Sequence, residues 1–276
     1  MKPPSITVLF TLNDRPIEAV RKVYESLEGQ DFTELVIVFD ATPAPLEEYT
    51  RGYWKADPRA VFVSIDRPKG WICPARAWNT GFARVTSEMV YCISSEVIQE
   101  PGNVAKAREI LSGLPAVVYG RCVDDGPAPV VTGPHPHLLT GTEQLRPLGF
   151  IWAFPMWAVR AIGGYDEAFM DGICWEDDDI VWRLWLLGLP FIFTDEIDGV
   201  HQHHGRPQLS PEGVEKNRAL IVRKTGHEHP WQSAQKVVAE DRQNNRIVCF
   251  PADERVLALW GVTEASGSAS EASGGG

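Results

Sequence analysis

No run of this chain approaches the ~20 consecutive apolar residues of a helical membrane span, so a membrane-embedded protein is not expected. Cysteine is also scarce. The five cysteines (Cys73, Cys92, Cys122, Cys174, Cys249) are odd in number, widely spaced and never paired as CxxC, a pattern that suits buried thiols in a reducing compartment better than disulfides or structural zinc. Positive charge is short: 26 Lys and Arg stand against 37 Asp and Glu, a net charge of −11. That argues against broad nucleic-acid binding, which rests on phosphate neutralisation, but leaves room for a small basic pocket. Met1-Lys2-Pro3-Pro4 leads straight into an apolar strand with no secretory leader pattern, so the expected location is cytoplasmic.

What is present is an alternation. Residues 6–12, 35–39, 60–65 and 89–93 are short apolar runs that read as buried strands. Between them, residues 17–27, 46–54 and 74–84 carry helical spacing,. Such alternation predicts an α/β fold: a Rossmann-like, mainly parallel sheet flanked by helices, in which ligands sit beyond the carboxyl ends of the strands. Asn13, Asp40 and Glu96 lie at three such ends, so residues 1–100 are expected to hold a nucleotide-like ligand. The second half, 101–205, is less regular: a helix over 104–111, strands at 116–121 and 190–194, and a Pro-, Gly- and His-rich loop over 124–149. Residues 206–262 are expected to form a C-terminal helical extension, with surface helices at 214–224 and 231–241. The Ser/Gly/Ala/Glu tail, 263–276, cannot bury apolar area and is expected to be disordered.

The most informative stretch is Trp175-Glu176-Asp177-Asp178-Asp179-Ile180, with Arg183-Leu184 after it. Ile180, Leu184 and Leu187 fall at helical spacing, so the four acids occupy a helix's first turn. Acids there complement the helix dipole by ~0.3–1 kcal/mol each. One or two would suffice for that; four that repel one another, beside an exposed Trp175, point to a site that takes a proton from, or hydrogen-bonds to, a hydroxyl-rich ligand.

Weaker constellations surround it. Ser94-Ser95-Glu96 follows a strand, where a carboxylate can hold a divalent ion that bridges a diphosphate. His201-Gln202-His203-His204 raises the odds of metal or phosphate contact to even. Asn13-Asp14-Arg15, and Arg76 with Asn79, offer cationic and amide donors to a phosphorylated ligand. Trp71, Trp152, Trp157 and Trp175 are candidate stacking faces for a sugar ring.

Taken in order, these motifs resemble the GT-A glycosyltransferases, and most nearly their large family-two group. The resemblance runs from about Ile6 to His204, through Thr11-Leu12-Asn13-Asp14-Arg15-Pro16, Phe39-Asp40, Ala77-Trp78-Asn79-Thr80-Gly81, Ser94-Ser95-Glu96, Gly163-Gly164-Tyr165-Asp166-Glu167, Trp175-Glu176-Asp177-Asp178 and the late histidines. The Glu-Asp-Asp-Asp-Ile-x-x-Arg-Leu stretch also resembles the galactosyltransferases that act on terminal GlcNAc. The resemblance implies transfer of a sugar from a nucleotide-sugar, a UDP-sugar being expected, to an acceptor hydroxyl on a glycan, protein or other molecule, with inversion. It implies donor contacts at Thr11, Asn13, Arg15, Asp40, Arg76, Asn79 and Ser94. Asp177 would be the general base, Glu176 and Asp178 would orient the acceptor, and Trp152 and Trp175 would bind it. Glu96 with His201 or His203 would hold Mn²⁺ or Mg²⁺. The family's usual Asp-x-Asp motif stands here as Ser94-Ser95-Glu96, which implies weaker metal binding or a diphosphate held partly by Arg15 or Arg76.

Two other readings remain. One is a non-catalytic binder of nucleotide-sugars or glycans on the same scaffold. The other is a nucleotidyltransferase, ranked third because the loop after the first strand lacks the glycines such enzymes use.

Overall fold

The computed structural model describes residues 3–68, 73–126, 131–132, 147, 149–204, 209–241 and 243–262. Trp71, most of the 124–149 loop and the 263–276 tail lie outside the described residues.

The first half alternates as its apolar pattern requires: β1 (Ile6–Leu12), α1 (Ile17–Leu27), β2 (Glu34–Asp40), α2 (Ala44–Tyr53), β3 (Ala60–Ile65), α3 (Ala75–Phe82) and β4 (Met89–Ile93). There follow β5 (Val97–Gln99), α4 (Asn103–Gly113), β6 (Val117–Asp124), β7 (Val131–Thr132), β8 (Ile151–Pro155), α5 (Met156–Ile162), a 3-10 turn (Glu167–Asp171), α6 (Glu176–Leu186) and β9 (Phe191–His201). The chain then forms α7 (Pro211–Thr225), α8 (Pro230–Ser233), β10 (Lys236–Asp241), β11 (Arg246–Pro251) and α9 (Glu254–Leu259).

The described strands join one sheet in the order β10-β11-β9-β6-β8-β4-β1-β2-β3. β3, β2, β1 and β4 are mutually parallel, as are β6 and β9, while β8 runs antiparallel between β4 and β6. Two reversals across β8 leave β6 and β9 pointing the same way as β4. The carboxyl ends of β1, β2, β3, β4, β6 and β9 therefore share one edge, and β8 starts there. β5 turns back and pairs antiparallel with β9, Val97 opposite His201. That pairing lays Glu96 against the histidine segment.

Successive strand residues face opposite sides, so each strand feeds two cores. Ile6, Val8, Phe10 and Leu12 pack with α1, α2 and α4 on one face. Leu9, Cys92, Tyr119, Trp152 and Phe193 pack with α3, α5, α6, α7 and α8 on the other. Each such buried side chain contributes ~1.5–3 kcal/mol.

The expected C-terminal helical extension is mixed instead. Residues 236–241 are a strand, hydrogen-bonded throughout to β11, which pairs in turn with β9. The reversal between them uses Asn245 in a left-handed conformation (φ 53°), and the alternating burial of β10 was hidden in a short polar–apolar mixture that also satisfies a helix. Likewise the strand expected at 190–194 continues to His201, because β6 and β5 supply partners beyond Thr194.

Candidate active site

The acid-rich first turn of α6 hangs over that shared edge, and its approach is strained. Cys174 and Trp175 are both left-handed, φ 65° and 64°, which costs of order 1–3 kcal/mol each for side-chain-bearing residues. The surroundings hold them there. Asn217 of α7 donates from Nδ2 to the carbonyls of Phe169 and Cys174, both at 2.9 Å. Gly172 passes so close that a Cβ would lie 2.2 Å from Asn217 Oδ1. Trp175 Nε1 donates to the Glu228 carbonyl at 3.2 Å. The segment after residue 209 is thus a brace for the acid turn.

The four acids divide. Asp179 is buried and structural: its carboxylate pairs with Arg183 at 2.7 Å and Lys224 at 2.5 Å, and Arg183 also donates to the carbonyls of Ile162 and Gly164. The other three face the site. Burial and the neighbouring Asp177 and Asp178 push Glu176 up to about 8, and its Oε2 has no hydrogen-bond partner among the described residues. Burial pushes Asp177 up to about 6, against a hydrogen bond that Tyr165 Oη donates to its Oδ1 at 3.0 Å and with help from Asp178. The two titrate as a pair.

Tyr165 is aimed by its own turn. Asn79 of α3 accepts from the Tyr165 amide at 2.7 Å and donates to its carbonyl at 2.9 Å. Gly164, at φ +77°, would place a Cβ 2.4 Å from Asn79 Oδ1, so only glycine lets the turn close on Asn79.

On the opposite side, Asn13 Nδ2 donates to the Asp40 carbonyl at 2.8 Å, and the Asp40 carboxylate pairs with Arg67. Arg67 also lies near enough to Glu176 for their charges to interact, linking the strand ends to the acid turn. The Arg15 guanidinium pairs with Glu96, and His204 Nε2 is 3.8 Å from the same oxygen. Burial would raise the Glu96 carboxyl, but Arg15, Ser94 and His204 outweigh it and hold it below the usual carboxylate range. His201 and His203 each lie 3.6 Å from Asp124. Burial draws His201 down from the ordinary imidazole value.

Among the described residues no three His, Cys, Asp or Glu side chains are grouped to hold a metal ion. Glu96 already carries a cation, Arg15.

No family model and no curated protein matches the chain. Solved structures do. The S. aureus TarS 1-349 structure aligns at TM-score 0.56 and 13% identity, over 80% of this chain and 65% of that one. The mannosyltransferase PcManGT from Pyrobaculum calidifontis, in complex with GDP-Man and Mn²⁺, aligns at 0.55 and 16% identity, over 84% and 64%. GalNAc-T7 with UDP, GalNAc and Mn²⁺ aligns at 0.60 and 12% identity, over 80% and 48%. The chain has the GT-A fold. It spans about two thirds of the first two chains and about half of the third, and at these identities the likeness speaks for the fold.

Within this GT-A fold, Asn13, Arg15, Asp40, Ser94 and Glu96 follow or end strands at one edge, with Thr11 one residue before the end of β1. Arg76 and Asn79 both bond to Glu167, and Asn79 serves the Tyr165 turn. Of the histidines, His204 rather than His203 has a nitrogen beside Glu96. Trp152 offers no stacking face: it is 2% exposed, its ring packed on Tyr119 and Phe154. Trp175 is half-buried rather than exposed, and Trp157, at 50% exposure, stands out on α5. Sequence reasoning missed Arg67, whose signal was an arginine just past a strand end. The role of Tyr165 rests on its contact with Asp177, which spacing alone does not show. No helix of the described residues is long and apolar enough to cross a membrane.

Proposed function

We propose that the chain transfers a sugar from a nucleoside-diphosphate sugar, a UDP-sugar foremost, to an acceptor hydroxyl, with inversion at the anomeric carbon. Residues 1–100 hold the donor, 101–205 supply the acceptor and catalytic side, and 206–262 brace the acid turn. The observation that carries the reading is Asp177: a half-buried carboxylate whose affinity for a proton is raised, hydrogen-bonded by Tyr165, and next to Glu176, which Arg67 links to Asp40 at the end of β2. Two of the three similar structures contain a nucleotide or nucleotide-sugar with Mn²⁺, which supports a donor of this class.

In the reaction the acceptor oxygen attacks the anomeric carbon as the nucleoside diphosphate departs from the opposite face. Asp177 takes the hydroxyl proton late, as bond formation acidifies it; a carboxylate raised towards neutrality is a better base than one near 4. Glu176 and Asp178 orient the acceptor. Charge grows on the departing diphosphate, and Arg15, at the strand edge, is the cation placed to offset it. Mn²⁺ in the similar structures supports a divalent ion as an alternative counter-charge. In the structure Glu96 is engaged by Arg15.

A thermal-shift screen of nucleoside-diphosphate sugars tests the reading. Specific binding stabilises the fold by about 2.7 kcal/mol at a hundredfold excess over Kd. Stabilisation by none of them contradicts it. Binding without turnover, in the presence or absence of acceptors, supports the non-catalytic binder, for which the pairing of Arg15 with Glu96 at the metal position is the favouring observation.

A further inference from the structure

Three strands bring polar tips together on the floor beneath the acid turn. Cys92, Trp152 and Tyr119 are register partners across β4, β8 and β6, so their side chains share one face of the sheet. Trp152 and Tyr119 stack, ring centroids 5.9 Å apart. Both are 2% exposed, yet among the described residues neither Trp152 Nε1 nor Tyr119 Oη has a hydrogen-bond partner. Leaving a buried donor unpaired costs ~1–3 kcal/mol, and such groups in a native fold call for a ligand or an ordered water.

Their surroundings favour a ligand group. Tyr119 is close enough to Asp177 and Asp178 for those carboxylates to resist its ionisation. Two residues before β8, Gly149 carries no side chain. A Cβ there would lie 3.7 Å from Trp152 Nε1 and 3.8 Å from Asp177 Oδ1, in ordinary contact with both. An N–H donor and the carboxylate oxygen that Tyr165 also contacts thus both lie beside Gly149, which has no side chain to cover them. A hydroxyl suits this pairing, since its oxygen accepts while its hydrogen is donated. A purely apolar group would leave both protein atoms unsatisfied.

We propose that Gly149, Trp152 Nε1, Tyr119 Oη and Asp177 Oδ1 bound a subsite for a single sugar hydroxyl. This deepens, and rests on, the reading of the chain as a nucleotide-sugar transferase. Trp152 then acts by hydrogen bonding through its indole N–H, with its ring held in the core. The hydroxyl comes either from the donor's sugar or from the acceptor, and the same chemistry serves both.

The test uses Trp152→Phe, Tyr119→Phe and Gly149→Val. The first two remove a polar atom; the third fills the space and removes none. Gly149 carries no positive φ, so valine is allowed there, and thermal melting checks that each variant folds. Calorimetry compares UDP-galactose, UDP-N-acetylglucosamine and GDP-mannose with bare UDP and GDP. Kinetics compares transfer to a panel of p-nitrophenyl glycosides with hydrolysis of the donor by water.

If the hydroxyl is the donor's, the variants weaken binding of the sugar nucleotide about three- to tenfold and leave the bare nucleotide unchanged. If it is the acceptor's, donor affinity and hydrolysis hold while the glycoside KM rises by a similar factor. Wild-type affinities and KM values in folded Gly149→Val and Tyr119→Phe overturn the subsite and mean that water alone fills it. Failure of the wild-type protein to bind any of the sugar nucleotides overturns the underlying transferase reading instead.

Discussion

Tyr165 Oη donates a 3.0 Å hydrogen bond to Asp177 Oδ1, tying the Gly-Gly-Tyr turn to the proposed base. The bond favours the ionised carboxylate and so works against the burial that raises it,. In Tyr165→Phe the Asp177 carboxyl should therefore rise further. The acid limb of the rate profile, expected near the value of about 6 for Asp177, should move to higher pH, while the plateau above it falls less than ~tenfold. A profile measured on both proteins checks this; an unmoved limb detaches Tyr165 from the chemistry.

The same turn separates two glycines. Gly163 and Gly164 both have positive φ, but only Gly164 faces an obstacle, Asn79 Oδ1 at 2.4 Å from its would-be Cβ. Gly163→Ala should cost only the left-handed penalty, ~1–2 kcal/mol. Gly164→Ala should cost more and also disturb activity, because the Asn79 contacts aim Tyr165. Urea unfolding of the two variants compares them, and equal losses contradict the steric part.

Much of this was legible in the residues. The parallel half reads directly because each strand is an unbroken apolar run and each helix keeps one apolar stripe. The acid turn of α6 was also visible, since repulsion among Glu176, Asp177, Asp178 and Asp179 needs a reason. What spacing does not reveal is how the four acids divide. Asp179 turns inward to Arg183 and Lys224, and Lys224 lies 45 residues along the chain. The placement of His204 rather than His203 near Glu96 depends on β5 pairing with β9, a three-residue strand too short to detect. Nor does an amphipathic pattern reveal that residues 236–241 find a strand partner. Trp152 looked like a sugar platform because tryptophan so often serves as one; its ring is consumed by the sheet core.

Arg15 and Glu96 make opposite predictions to a metal site. With Arg15 as the counter-charge, Arg15→Gln should weaken UDP binding by about tenfold or more, and EDTA should leave wild-type UDP binding unchanged. Calorimetry with and without EDTA measures both. Loss of UDP binding in EDTA, with Arg15→Gln unaffected, assigns the charge to a bound cation instead.

Glu176 gives a stability test. Its folded-state value, about 8, lies above the ordinary 4.5. A group raised on folding contributes stability that is present below its unfolded value and is lost as pH rises through the folded one. The wild-type fold should therefore weaken between about pH 4.5 and pH 8. Glu176→Gln, which cannot ionise, should melt above the wild type at about pH 9, and the gap should narrow or reverse towards pH 5. A gap that does not vary with pH contradicts the raised value.

The most direct measurement pairs turnover with donor binding in Asp177→Asn. The amide is nearly isosteric, so the helix start and the Tyr165 contact survive, but it cannot take a proton. The expected result is unchanged Kd for the sugar nucleotide that stabilises the wild type, with kcat for transfer reduced ~10²–10⁴-fold. Near-wild-type turnover in this variant would contradict the assignment of Asp177 as the base.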